Sequence, residues 1–205
     1  MKVEMKPGVG PVFDKPLVVP DDLSTLVMPE VKTALKYVYD AITLTRHKLE
    51  GKVPLIGFTG APWTLMSYMI EGGGSKTLSK AKKWLYQHPE ASLRLLKMIT
   101  DVDVEYLVEQ VRAGAQLLQV FESNAEYLGP KEFKKFALPS LVEINRRVKE
   151  RLTEEGLEGV PMTVFAKVSL RNEIVERGKS TKRREGISDT HTKTLANYKH
   201  HFRLN

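Results

Sequence analysis

The sequence predicts an α/β fold built around a parallel sheet, and three observations carry that prediction. Short apolar runs of strand length recur at 53–58, 115–121 and 160–166, each closed by glycine or by polar residues. Stretches with helically spaced apolar residues separate the runs, so the connections are too long for hairpins. Continuously apolar strands joined by helices are the buried strands of a parallel sheet. An open doubly wound sheet and a (β/α)8 barrel both satisfy the pattern. In both, ligands bind at the carboxyl ends of the strands.

The elements follow in order. Residues 1–29 are rich in proline and glycine and read as loop with one short strand at most. Residues 30–49 place Val31, Leu35, Val38, Ile42 and Leu49 at helical spacing, and Gly51 stops the run. Pro62 suits the first turn of a helix, where its missing N–H costs nothing, and Gly72-Gly73-Gly74 ends that helix after residue 70. Ser75 or Thr77 can cap the next helix, 77–87. Pro89 opens a long helix with Leu93, Leu96, Thr100, Val104, Leu107, Val108 and Val111 on one face, closed by Gly114. Gly129-Pro130 and Pro139 punctuate two further helices, the second ended by Gly156. Beyond Lys167 the periodicity is lost; a short helix at 172–177 is compatible with the residues, and the rest of 168–205 reads as disordered.

Composition narrows the function classes. The 205 residues are 41% hydrophobic and 28% charged, as in an ordinary globular domain. There is no cysteine, so disulfides and thiolate metal sites are excluded. No eighteen-residue apolar run occurs and the start lacks the apolar core of a secretory signal, so we expect no membrane partner and a cytoplasmic address. The net charge of +7 would suit nucleic-acid binding, but residues 168–205 hold nine Lys/Arg against four Asp/Glu, and the body is close to neutral. Charge runs are usually solvated, so no nucleic-acid partner is expected.

Several motifs invite chemistry and must be weighed against plainer readings. The Gly72-to-Thr77 stretch, GGGSKT, suggests a phosphate loop, but Ser75 separates glycine from Lys76 and a helix, not a strand, precedes it. A helix–helix connector explains it better. Asp101, Asp103, Glu105 and Glu109 read as a solvated helix face, His88 as lying near an N-cap, and His47 as complementing a helix end. Trp63, Trp84, Met66 and Met69 read as packing. No His/Asp/Glu set has metal-ligand spacing, so no metal is expected. The promising clusters are the strand ends at 59–63, at 122–124 and at Lys167. There Gly57 and Gly60 permit close backbone approach. Phe58 and Phe121 hold matching places as if facing a common cavity, and Tyr68 and Ser123 can supply hydroxyl groups to its wall. Pattern alone slightly favours ordinary packing of a barrel end for the same residues.

The stretches PLIGFTGAPWTLMSYMIEGGGS, WLYQHPE, AGAQLLQVFESNAEYLGP and FALP occur in that order. Together they resemble the uroporphyrinogen decarboxylase family over 3–167. The resemblance implies a (β/α)8 barrel, here incomplete, acting as a homodimer without metal or organic cofactor. It implies conversion of uroporphyrinogen to coproporphyrinogen by loss of four acetate carboxyl groups as CO2 in porphyrin synthesis. A protonated pyrrole serves as electron sink, so proton transfer and charge stabilisation suffice. By resemblance Tyr68 and Ser123 contact substrate, Phe58, Gly60 and Phe121 line the pocket, and Glu126 replaces a glycine. The family's arginine-rich segment, its essential aspartate and its C-terminal histidine turn have no counterpart; the aspartate would fall upstream of Met1. The expectation is therefore a partial barrel domain, 1–167, that retains no catalytic residue, followed by a basic tail, 168–205, unrelated to the family. Such a chain is expected to lack normal activity by itself. The alternative is a non-catalytic fragment or isoform that at most pairs with the full-length enzyme.

Overall fold

A computed structural model of the chain describes residues 1–8 and 10–167, together with the backbone of 201–203. Where loop was expected at the start, β1 (Val3–Lys6) and β2 (Gly10–Phe13) form an antiparallel hairpin. Gly8 and Gly10, at φ of 73° and 95°, supply the left-handed backbone of its turn. A 3-10 turn, Pro20–Thr25, follows. Asp22 holds its start by accepting from the N–H groups of Val18 (2.7 Å) and Val19 (2.9 Å).

The helix expected over 30–49 breaks at Leu35 into α1 (Val31–Ala34) and α2 (Lys36–Leu49). Of its residues only Val31 and Tyr39 are buried. The apolar spacing there marks a half-covered helix, not a core one.

The sheet proper is formed by β3 (Ile56–Gly60), β4 (Leu117–Glu122) and β5 (Met162–Ala166), all parallel, with Gly60 opposite Phe121 and Phe121 opposite Phe165. β3 starts three residues later than the apolar run suggests, after Pro54, which has no N–H to give a ladder. The backbone of β6 (His201–Arg203) pairs antiparallel with β5. The remainder of the expected tail, including the helix at 172–177, lies outside the described residues.

Between β3 and β4 run α3 (Pro62–Glu71), α4 (Ser79–Gln87) and α5 (Pro89–Arg112). Gly72 ends α3 at φ 86°, and its N–H donates to the Tyr68 carbonyl at 2.9 Å. The triple glycine also seats the hairpin, since the Phe13 N–H donates to the Gly72 carbonyl at 3.0 Å. α4 begins at Ser79 behind Leu78, and the Ser75 hydroxyl accepts from the Leu78 N–H at 3.1 Å. After β4, α6 (Pro130–Glu132) continues through a π-helical turn, Phe133–Ala137, into α7 (Leu138–Glu154). Two separate helices were expected here. The wider turn just ahead of Pro139 lets the chain run on, the Leu138 N–H reaching back five residues to Phe133.

Alternation along the strands decides the architecture. Leu118, Val120, Met162 and Val164 are buried against Val104, Leu107 and Val108 of α5 and Leu141, Ile144, Val148 and Leu152 of α7. The opposite face is open: Ile56 is 47% and Phe58 58% exposed. A doubly wound sheet carries helices on both faces, whereas a barrel carries them only outside. With its helices packed on one face, this sheet is an arc of an incomplete (β/α)8 barrel. A second core lies over the carboxyl ends of the strands, where Trp63, Met66, Trp84, Leu95 and Phe136 pack together.

Candidate functional site

Three of the expected site residues meet on the open face. The rings of Phe58 and Phe121 lie 6.1 Å apart, centre to centre, tilted by 46°. Gly60 makes room for this arrangement, because a Cβ there would stand 2.8 Å from Leu65 Cδ2 and 3.3 Å from Phe121 Cε2. Gly57 serves its neighbours likewise. A Cβ would meet the Gln110 amide oxygen at 2.8 Å. That same Gln110 side chain accepts from the Phe58 N–H (2.9 Å) and donates to the Phe58 carbonyl (3.0 Å), standing in for a strand beside β3. Both glycines thus admit side chains of the protein itself.

A cavity of about 550 Å³ opens at the carboxyl end of β3. Tyr68 and Phe121 share its wall, with Leu65 and Met69 of α3, Met98 and Val102 of α5, and Phe13 and Met28 from the N-terminal segments. Among the described residues, no lysine or arginine lines it, and its polar members are Thr64, Tyr68 and Asp103. Phe58 lies outside this wall, on the open sheet, and Ser123 is half-buried just past β4. The third strand-end position, Lys167, turns to Glu126, with Nζ 2.7 Å from the carboxylate. The glutamate that replaces the expected glycine therefore holds the lysine past β5.

The strand end at 122–124, a candidate cluster in the sequence, is part of a polar network with α3. Glu122 is fully buried, and its Oε1 accepts from the Thr64 hydroxyl. The Asn124 side chain donates to the Ser67 hydroxyl at 2.6 Å, Ser67 donates to the Thr64 carbonyl at 2.7 Å, and Trp63 Nε1 donates to the Asn124 carbonyl at 3.0 Å. Burial pushes the Glu122 carboxyl up to about 8, although the Thr64 hydroxyl and the nearby backbone N–H groups pull the other way. Its second oxygen, Oε2, has no hydrogen-bond partner among the described residues, which further favours the neutral acid.

The acidic stretch of α5 corrects an expectation. Asp101, Asp103, Glu105 and Glu109 do not form a solvated face. Asp103 is 2% exposed, accepts from the Thr59 hydroxyl at 2.9 Å, and is raised well above the ordinary aspartate value by burial and then by Glu122. Glu109, also buried, pairs with Arg112, while Asp101 and Glu105 meet Arg147 and Arg151 of α7. The arginines at 147 and 151 sit one turn apart on α7, a spacing that could have signalled the match. The other plain readings agree with the structure: Trp63, Met66 and Trp84 are core, and His88 is the residue before the first turn of α5. Among the described residues no group of three or more His, Asp or Glu side chains is placed to hold a metal ion, and no helix is long and apolar enough to cross a membrane.

Comparison with known proteins gives this geometry a context. A methyltransferase from Methanosarcina mazei superposes with a TM-score of 0.66 at 18% identity, over 86% of this chain and 49% of that one, a likeness of fold alone. Uroporphyrinogen decarboxylases from Danio rerio, Homo sapiens and Schizosaccharomyces pombe are 66%, 59% and 57% identical to it over 168 residues, 82% of the chain. The chain spans about half the length of these curated relatives, 46% of the first two. The family model described as uroporphyrinogen decarboxylase (URO-D) matches residues 1–202. With its barrel arc, its strand-end cavity and these matches, the chain belongs to the uroporphyrinogen decarboxylase family.

Proposed function

We propose that residues 1–167 supply one wall of a uroporphyrinogen-decarboxylating site, with Tyr68 and Ser123 contacting the tetrapyrrole and Phe58, Gly60 and Phe121 lining its apolar side. One observation carries the reading. Tyr68 and Phe121 share a cavity at the carboxyl end of β3, where barrel chemistry resides, and no described lysine or arginine lines it. Such a wall suits the flat pyrrole rings. In the reaction an acetate C–CO2 bond breaks, its electron pair enters a protonated pyrrole, CO2 leaves, and the carbon takes up a proton. The substrate's carboxylates demand guanidinium or ammonium partners, which this wall does not provide.

The chain alone therefore binds the macrocycle but does not turn it over at a normal rate. No metal or organic cofactor enters this scheme; the homodimer is carried over from the resemblance, and the cytoplasmic address from the lack of a secretory or membrane-spanning pattern in the sequence. Anaerobic incubation of the purified chain with uroporphyrinogen, against the Danio rerio relative, tests the reading. Coproporphyrinogen should form far more slowly with this chain, and equal rates would overturn the proposed division of labour.

A second reading is a non-catalytic partner of the full-length enzyme. The exposed Ile56 and Phe58 on the open sheet face favour it, since apolar side chains there gain from being covered. Co-purification with the full-length enzyme would support that reading, and a monodisperse monomer in its presence would exclude it.

A further inference from the structure

Ser123 is bracketed by two residues whose side chains both bind α3. On one side Glu122, at the end of β4, takes the Thr64 hydroxyl; on the other, Asn124 donates to the Ser67 hydroxyl at 2.6 Å. α3 is the helix that carries Tyr68, and Thr64 stands one turn before it. The contacts are reciprocal, for the Asn124 N–H reaches Thr64 Oγ1 at 3.4 Å and Trp63 Nε1 reaches the Asn124 carbonyl at 3.0 Å. Every one of these bonds crosses between the β4 end and the first two turns of α3. Among the described bonds, no other side chain of β4 or of the turn just past it bonds α3 in this way.

We infer that Glu122 and Asn124 are positioning residues for the tetrapyrrole site, clamping the Ser123 turn to the helix that bears Tyr68. Glu122 points to the helix layer, away from the open face, and touches no ligand itself. It acts as a hydrogen-bond acceptor for Thr64 while remaining neutral, a role an amide can also fill. Asn124 acts at the half-buried rim, where its loss leaves both cores intact. The inference rests on the reading that Tyr68 and Ser123 contact the macrocycle.

The test is fluorescence titration of the full chain at neutral pH with uroporphyrin, the oxidised form of the proposed substrate. Three variants are compared with the wild type: Glu122→Gln, Glu122→Ala and Asn124→Ala. Loss of a clamp bond should weaken binding about tenfold in Glu122→Ala and about fivefold in Asn124→Ala. Glu122→Gln should stay within about twofold of wild type, because the carbonyl still accepts from Thr64. Rescue by glutamine separates a clamp from a mere packing role, and thermal unfolding of Asn124→Ala should match the wild type closely. Should Glu122→Ala fail to fold, Asn124→Ala and Glu122→Gln decide the matter. Wild-type affinity in Asn124→Ala, or equal losses in Glu122→Gln and Glu122→Ala, would overturn the clamp while leaving the site reading intact. A wild-type chain that binds no uroporphyrin would overturn the site reading first, and the clamp with it.

Discussion

The two faces of the β3–β4–β5 sheet differ in what they ask of their residues. On the helix-covered face, Leu118, Val120, Met162 and Val164 are buried against α5 and α7, and even polar members, Thr59 and Glu122, are sealed in with partners of their own. On the open face Ile56 and Phe58 remain about half exposed, and Phe121 reaches a cavity. The covered face holds the fold together, and the open face is free to serve a ligand. A barrel separates the two tasks by residue parity, so a shift of one residue along a strand moves a side chain from structure to function.

That contrast can be strained from both sides. The largest expected effect concerns Glu122, an acid on the covered face. Its folded-state value, about 8, lies above the ordinary 4.5, so the unfolded chain ionises it first. Its contribution to stability is full below pH 4.5, falls as pH rises toward 8, and stays at its lower level above that. Asp103 shifts in the same direction, chiefly through its burial, and that burial persists in Glu122→Gln. Denaturant unfolding of wild type and Glu122→Gln across this range should show the wild type losing on the order of 4 kcal/mol relative to the variant. A difference that stays flat with pH would mean Glu122 is ionised in the folded protein.

The next effect is Ile144→Ala, on α7, which removes a fully buried side chain from the covered face. It should cost about 3 kcal/mol in urea unfolding. The smallest is Phe58→Ser on the open face, which should cost about 1 kcal/mol, because much of the ring is already in water. If the two losses were equal, the open face would be as structural as the covered one.

Much of this frame was legible in the residues. Apolar runs and proline or glycine breaks located β3, β4, β5 and the helices between them, with shifts of a few residues where Pro54 and Leu78 overrode the pattern. The barrel itself was not decidable from pattern, since strand composition does not tell which face the helices cover; burial of the alternate residues does. The hairpin at 3–13 escaped because its strands are short, exposed and rich in polar or proline residues, so no period marks them. The strand-end positions drew notice from their place just past apolar runs. What they bind did not show, because the partners of Glu122 and Asn124 lie some sixty residues away, on α3. Asp103 was misread for the same reason: nothing local distinguishes it from Asp101, yet one faces Thr59 inside and the other Arg147 at the surface.

The proposed working face of this chain is the open one at the carboxyl ends of β3 and β4. Amide hydrogen exchange read by mass spectrometry, with and without uroporphyrin, addresses it most directly. New protection is expected in peptides covering 58–68 and 119–125, with exchange in α2 and the outer side of α7 unchanged. Protection confined to α2 or α7, or none at saturating uroporphyrin, would contradict it.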